Sequence, residues 1–208
     1  MPVEKNDCLG PANKDRIVRD YNVLAIGRFA IAPGTTIEGC CGELSNEQIV
    51  FRYVGKTNSR DEGQFSVGED CAKQFLHRTG QSMPERFTPF LESKDAANPG
   101  TSGVASAVGA PAPAMDPLNK EVYRAILLWC SLKGQIPQFS TARILEHIVR
   151  NPTTKIDDKH IYELFKVFAM YRKTLAELVQ AAALGNKLKA LSFPLLDAMA
   201  SKNWIGLP

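Results

Sequence analysis

The run from Ser93 to Ala114, SKDAANPGTSGVASAVGAPAPA, divides this chain into two unlike halves and constrains what each can become. Alanine, glycine, proline and serine fill 16 of its 22 positions, and Val104 and Val108 are its only larger aliphatic residues. A segment of that composition cannot bury enough apolar surface to offset its ordering entropy. It reads as a tether with a root-mean-square reach of roughly 25 Å. Residues 1–92 read as a β-rich, cysteine-containing domain, 93–114 as a flexible linker, and 115–208 as a helical domain. The expected fold class is therefore α+β, a hairpin plus short helix tethered to an all-α helical bundle.

The formal net charge of +3 conceals an asymmetry. Residues 1–114 carry 12 Lys/Arg against 14 Asp/Glu, a net of −2, while residues 115–208 carry 13 against 8, a net of +5. The basic excess sits in the helical half. It is enough for a basic face and too small to define a nucleic-acid partner by itself. No apolar stretch reaches the roughly 20 residues of a membrane-spanning helix. The opening MPVEKNDCLGPANKDRIVRD lacks the apolar centre of a secretory signal. The expectation is a cytoplasmic protein without a membrane partner.

In the N-terminal half, Tyr21–Ile31 reads as a strand or a bulged pair of strands, broken by Gly27 and ended by the turn Pro33-Gly34. Glu47–Val54 reads as a second strand, and Gln64–Val67 as a third across the polar loop KTNSRDEG. A helix follows over Cys71–His77 with Asp70 as its N-cap. Phe87 and Phe90 then pack back on this unit.

Five cysteines, an odd number, together with the missing signal sequence argue against a disulfide framework. Cys130, in LLWCSL, reads as a small buried apolar residue. The other four bracket the hairpin. Thiolate and imidazole are the ligands zinc prefers, and a closed structural site needs four. Cys40, Cys41, Cys71 and His77 offer four, with Cys8 in reserve. The alternative is that these are partly buried free thiols at tight turns.

GCCGEL, a hairpin and then SVGEDCAKQFL together resemble small zinc-ribbon-like domains of phage and plasmid proteins over residues 36–77. Those domains carry a Cys-x-x-Cys-Gly knuckle, a hairpin, and Gly-x-x-Cys at a helix start. Cys41-Gly42 and Gly68-Glu69-Asp70-Cys71 match, and Glu38 stands where the first knuckle cysteine would be. The resemblance implies a zinc ion and no particular activity.

Four helices are legible in the C-terminal half. The first runs over Pro117–Leu132, capped by Asp116 and ended by Lys133-Gly134. The second covers Thr141–Arg150 behind Ser140. The third starts after Asp157, with Ile156 and Ile161 as a hydrophobic staple, and extends to about Leu184. A fourth begins at Ser192, and Trp204 and Ile205 are placed to pack on the bundle. Along the third helix Lys159, Lys166 and Lys173 share a face, and with Arg172 they form a basic row that can follow a phosphate backbone or serve as a solvated surface.

The chain has no Walker phosphate loop, His-Glu-x-x-His pair or Gly-x-Ser-x-Gly elbow, so no enzymatic activity is expected. Two function classes compete. One is a non-catalytic protein-binding adaptor or inhibitor, phage- or plasmid-encoded and acting on a host complex. The other is a nucleic-acid-binding accessory protein that uses the basic helical face.

Overall fold

Polar and apolar residues alternate through the first half, and the elements follow that alternation. Of the 208 residues, the computed structural model describes residues 3, 6–90, 114–170, 177, 179–180, 189 and 191–203. Helix α1 (Pro11–Asp20) opens the fold, with proline at its first position, where no backbone N–H is needed. It leads into β1 (Tyr21–Ala30). A small hairpin, β2 (Ile37–Gly39) and β3 (Gly42–Leu44), precedes β4 (Glu47–Gly55) and β5 (Glu62–Val67). Helix α2 (Glu69–Thr79) ends at Gly80, whose φ of 65° is the left-handed cap that glycine adopts freely. The two-residue β6 (Arg86–Phe87) closes the half.

The main sheet has the order β5-β4-β1-β6, with β1 antiparallel to β4 and parallel to β6. Its two faces have different covers. Tyr21, Val23, Ala25, Ile49, Phe51, Tyr53, Phe65 and Val67 pack with Ile17 of α1 and with Ala72, Phe75 and Leu76 of α2. Rings make up much of this layer, with Phe51, Phe65 and Phe75 in mutual contact at 5.2–5.4 Å between centroids.

The opposite face is covered from the far half of the chain. Helices α3 (Pro117–Lys133), α4 (Phe139–Arg150), α5 (Asp158–Met170) and α6 (Pro194–Asn203) follow among the described residues. Ile26, Phe29 and Val50 of the sheet share one core with Ile126, Leu127, Leu145, Ile148, Ile161 and Phe168 of the helices. The register of β1 shifts between Ala25 and Gly27. This bulge re-aims the end of the strand toward α3. Gly27 is part of that fit, because a Cβ there would lie 2.9 Å from Leu127 Cδ2.

Every residue from Ala125 to Ser131 is buried, as in a helix covered on all sides: α3 lies between the sheet and its fellow helices. Asp116 caps it by accepting from Leu118 N–H and Asn119 N–H. The fully buried Asn119 then ties down the α4–α5 connection. Its Nδ2 donates to the carbonyls of Pro152 and Thr154, and its Oδ1 accepts the Ile156 N–H at 2.8 Å. Glu121 reaches the start of α6, where its Oε2 accepts from Leu195 N–H and Leu196 N–H.

The sequence expects two domains with separate cores, and the packing differs. The apolar core is continuous from β1 and β4 into α3 and α4. Helices α3 and α4 pack on the sheet, α5 packs on α4 and α6 on α3, so the molecule is mixed α and β. The physical reason is the polar-free centre of β1, which leaves apolar surface on the sheet face opposite α1 and α2. The linker positions 93–113 lie outside the described residues.

Several element boundaries also differ. Helix α1 goes beyond the sequence expectation, as do β2 and β3. Helix α2 begins at Glu69 behind Gly68, with no side-chain cap, rather than at Cys71 behind Asp70. Helix α4 begins at Phe139 rather than after Ser140, and Thr141 Oγ1 accepts the Gln138 N–H at 3.0 Å. The Asp157 cap of α5 is present, accepting the His160 N–H at 3.0 Å. The expected extension of that helix to Leu184 falls largely outside the described residues, as do Trp204 and Ile205.

Candidate functional site: an open strand edge beside a polar pocket

Residues paired across β4 and β5 share a face, so Val50 with Ser66 and Arg52 with Gln64 point the same way. That is the face covered by α3 and α4. On the β1 side of it the side chains are apolar. On the β5 side they are Gln48, Arg52, Gln64 and Ser66, and helix packing cannot close over them in the same manner.

Arg52 is neutralised in place. Its guanidinium pairs with Glu62 of β5 at 2.5 Å and with Glu146 of α4. Arg143 of α4 returns to Glu62 at 2.7 Å, and Arg150 to Glu146 at 3.0 Å. The Glu62 carboxyl is held below the usual carboxylate range, first by its hydrogen bond from Arg143 and next by that from Arg52.

Beside this network lies a cavity of about 400 Å³ lined by Ile37, Glu38, Gln48, Gln64, Ser66 and Ile136, among others. Its size is that of a small ligand pocket. Gln48 is 1% exposed, and its Oε1 accepts no hydrogen bond among the described residues. A buried amide oxygen left without a donor costs about 1–3 kcal/mol, which an incoming N–H or O–H would recover.

The pocket adjoins a sheet edge. Strand β5 is the last strand of the main sheet. The Ser66 carbonyl accepts the Cys40 N–H at 2.7 Å, so the Ser66 main chain points away from β4. By strand alternation the Gln64 main chain points the same way. Its N–H and C=O meet no loop or turn partner among the described residues, which leaves one donor and one acceptor at the mouth of the pocket.

The cysteines gather on the other side of the β2–β3 turn. Cys8 and Cys40 form a disulfide with a Cα–Cα distance of 5.8 Å. This corrects the sequence expectation of free thiols throughout. Cys41, Cys71 and Cys130 stay free; Cys130 is buried in α3, and burial pushes its thiol up. Cys41 Sγ donates to the Cys8 carbonyl at 3.5 Å, and Cys41 and Cys71 both pack against the α1–α2 side of the core. Burial first, and the neighbouring Cys71 thiol next, push the Cys41 thiol up to about 12.

Of the expected zinc set, then, the structure keeps Cys41 and Cys71 as half-buried free thiols, places Cys40 in a disulfide, and leaves His77 exposed on α2. Among the described residues no group of three or more His, Cys, Asp or Glu gathers around a common point. Two thiols fall short of the four donors of a closed zinc site.

Of the basic row, Lys159 and Lys166 are exposed on α5, and Lys166 Nζ stands 4.5 Å from the Tyr162 ring centroid. Arg172 and Lys173 lie outside the described residues. His147 and His160 stack at 4.9 Å, and His160 Nδ1 meets Asp157 Oδ1 at 2.5 Å. Among the described residues no helix is long and apolar enough to cross a membrane. Compared with family models, curated proteins and solved structures, the chain matches none.

The site residues Gln48, Gln64 and Ser66 escaped the sequence reading. A signal was present: the stretch EQIVFRYV places Gln48 and Arg52 on the same face as Val50, a mixed face inside an otherwise apolar strand.

Proposed function

We propose that this chain is a non-catalytic protein-binding adaptor or inhibitor that takes an extended segment of its partner along β5. The observation that supports this reading is the adjacency of the outward Gln64 main chain and the unpaired Gln48 Oε1 at one pocket mouth. An extended segment adds a strand to such an edge. Main-chain hydrogen bonds supply affinity and the adjoining pocket supplies specificity. The side chain it receives carries an N–H or O–H donor, directed to Gln48.

Selection of extended peptides on the intact chain, followed by calorimetry, tests the reading. Gln48→Leu should weaken a selected peptide by tenfold or more, about 1.4 kcal/mol. Gln64→Pro should abolish the edge bond, and because proline is tolerated on edge strands the circular dichroism should be unchanged. Peptides whose binding is unaffected by either change overturn the site. Binding of bare duplex with an affinity that falls steeply with salt would instead assign the function to the basic row of α5.

A further inference from the structure

Phe139, the first residue of α4, combines a strained backbone with a side chain turned to solvent. Its φ is 45°, in the left-handed region that glycine enters freely and a bulky residue enters under strain. Gln138 and Thr141 hold it there. Thr141 N–H and Thr141 Oγ1 both donate to the Gln138 carbonyl, at 3.0 and 2.8 Å, and Thr141 Oγ1 accepts the Gln138 N–H at 3.0 Å. The ring gains no burial in return: it is 82% exposed and belongs to neither core cluster. Strain that surrounding hydrogen bonds over-determine, and that packing does not repay, points to a contact outside the fold.

The neighbours of Phe139 on the chain place it along β5. Ile136, three residues earlier, lines the pocket. Arg143, one turn later, pairs with Glu62 of β5 at 2.7 Å. Phe139 is bracketed between the two, beside the strand whose Gln64 main chain points outward. At the pocket end, Gln48 is 1% exposed and its Oε1 accepts no hydrogen bond among the described residues.

We infer, on the strand-addition reading proposed above, that Phe139 selects the partner segment: it takes an aromatic or large aliphatic residue two positions from the one whose donor reaches Gln48. Side chains two apart on an added strand share a face and lie about 7 Å apart. One enters the pocket while the next on that face meets the ring. Aromatic anchors of this kind carry a large share of interface affinity. A phenyl ring in water gains most from an apolar partner that covers it, and an acidic residue at that position would gain nothing.

The experiment selects a random-peptide library on the intact chain and, separately, on Phe139→Gly. Glycine takes this φ without strain, so the circular dichroism of the variant should be unchanged. Selection on the wild type should return peptides with a donor residue and, two positions away, an aromatic or large aliphatic one. Selection on the variant should keep the donor and lose the apolar preference. By calorimetry, a peptide selected on the wild type should bind Phe139→Gly about tenfold more weakly or worse. Replacing its apolar residue by alanine should cost the wild type the same factor and the variant almost nothing. Phe139→Trp should keep the affinity. Peptides weakened by Gln48→Leu or Gln64→Pro and indifferent to Phe139→Gly would overturn the role of the ring and leave strand addition standing. Indifference to all three changes, or a library without binders, would overturn both. A concentration-dependent dimer that Phe139→Gly dissolves would assign the ring to a second copy of this chain and overturn its role in selection.

Discussion

Arg52 in β4 and Glu146 in α4 form an ion pair across 94 positions of sequence, with side chains 6% and 19% exposed. With the Arg143–Glu62 pair it fastens the sheet to the helices from the other half of the chain. Removing one partner of such a pair leaves the other desolvated. Glu146→Gln should cost about 1.5–3 kcal/mol, the range for a hydrogen bond to a charged group, and Arg52→Ala more, because Glu62 and Glu146 both lose the buried cation between them and keep only Arg143 and Arg150. Denaturant midpoints at neutral pH read both. A loss under about 0.5 kcal/mol for either would show that the pair is solvated in solution.

The same network has a pH signature. Glu62 has its folded pKa depressed by Arg143 and Arg52. Its contribution is therefore fully present above the ordinary carboxylate pKa of about 4.3 and is lost as pH falls through the lower folded value. Thermal midpoints followed from pH 6 to pH 2 should fall more steeply for the wild type than for Glu62→Gln, with the two curves converging at the acid end. Parallel curves would remove Glu62 from the network.

Asn119 satisfies both sides of its amide against the α4–α5 connection. Asn119→Leu is close in volume and strands the Ile156 N–H together with two carbonyls. It should cost about 3 kcal/mol. Asn119→Asp keeps the acceptor for Ile156 but turns a negative charge on the Pro152 and Thr154 carbonyls, and it should be at least as damaging. Urea unfolding of the two variants decides this. A mild effect of the aspartate would mean that the donor half of the amide contributes little.

Gly27 and Leu127 form a coupled pair. Gly27→Ala places a methyl 2.9 Å from Leu127 Cδ2 and should cost about 1–3 kcal/mol by overpacking. In a Leu127→Ala background the same change should be nearly neutral. A double-mutant cycle over the two positions should therefore show a coupling above about 0.5 kcal/mol. Additive effects would place α3 farther from the bulge.

Packing of the helical layer can be tested at Phe168, which is 3% exposed and 5.7 Å from the Trp129 ring. Phe168→Ala should cost about 3–5 kcal/mol, measured by the same unfolding.

The strands β1, β4 and β5 were legible because alternation and turn residues are local signals. So were the Asp116 and Asp157 caps, which need only a side chain and the next three amides. Helix α1 was hidden by its polarity, since Ile17 and the stem of Lys14 are the only side chains it buries; the pair Gly10-Pro11 was its one start signal. Where the C-terminal helices pack was hidden for a different reason. A helix's apolar face states that it is covered and not by what. The all-round apolar run Ala125–Ser131 was the clue that α3 has neighbours on both sides. The Cys8–Cys40 bond spans 32 positions, and no spacing rule in one chain selects that pair from five cysteines. The pocket depends on a cross-strand pairing and on a connection, Gly134 to Ile136, that arrives from 68 or more positions away. Neither is written in a window of sequence.

The contact of Gly27 with Leu127 joins points 100 residues apart, and that separation has a consequence in time. Loop closure on this scale makes a fold slow to complete. During synthesis β1 and β4 are finished well before α3 and α4 exist, so Ile26, Phe29 and Val50 present a bare apolar face. At about 5–20 residues per second, the interval between completing β5 and completing α4 is roughly 4–17 s. An exposed face of this kind is what chaperones and neighbouring nascent chains bind. The yield of folded chain then depends on what meets that face during those seconds, a quantity that no equilibrium measurement reads.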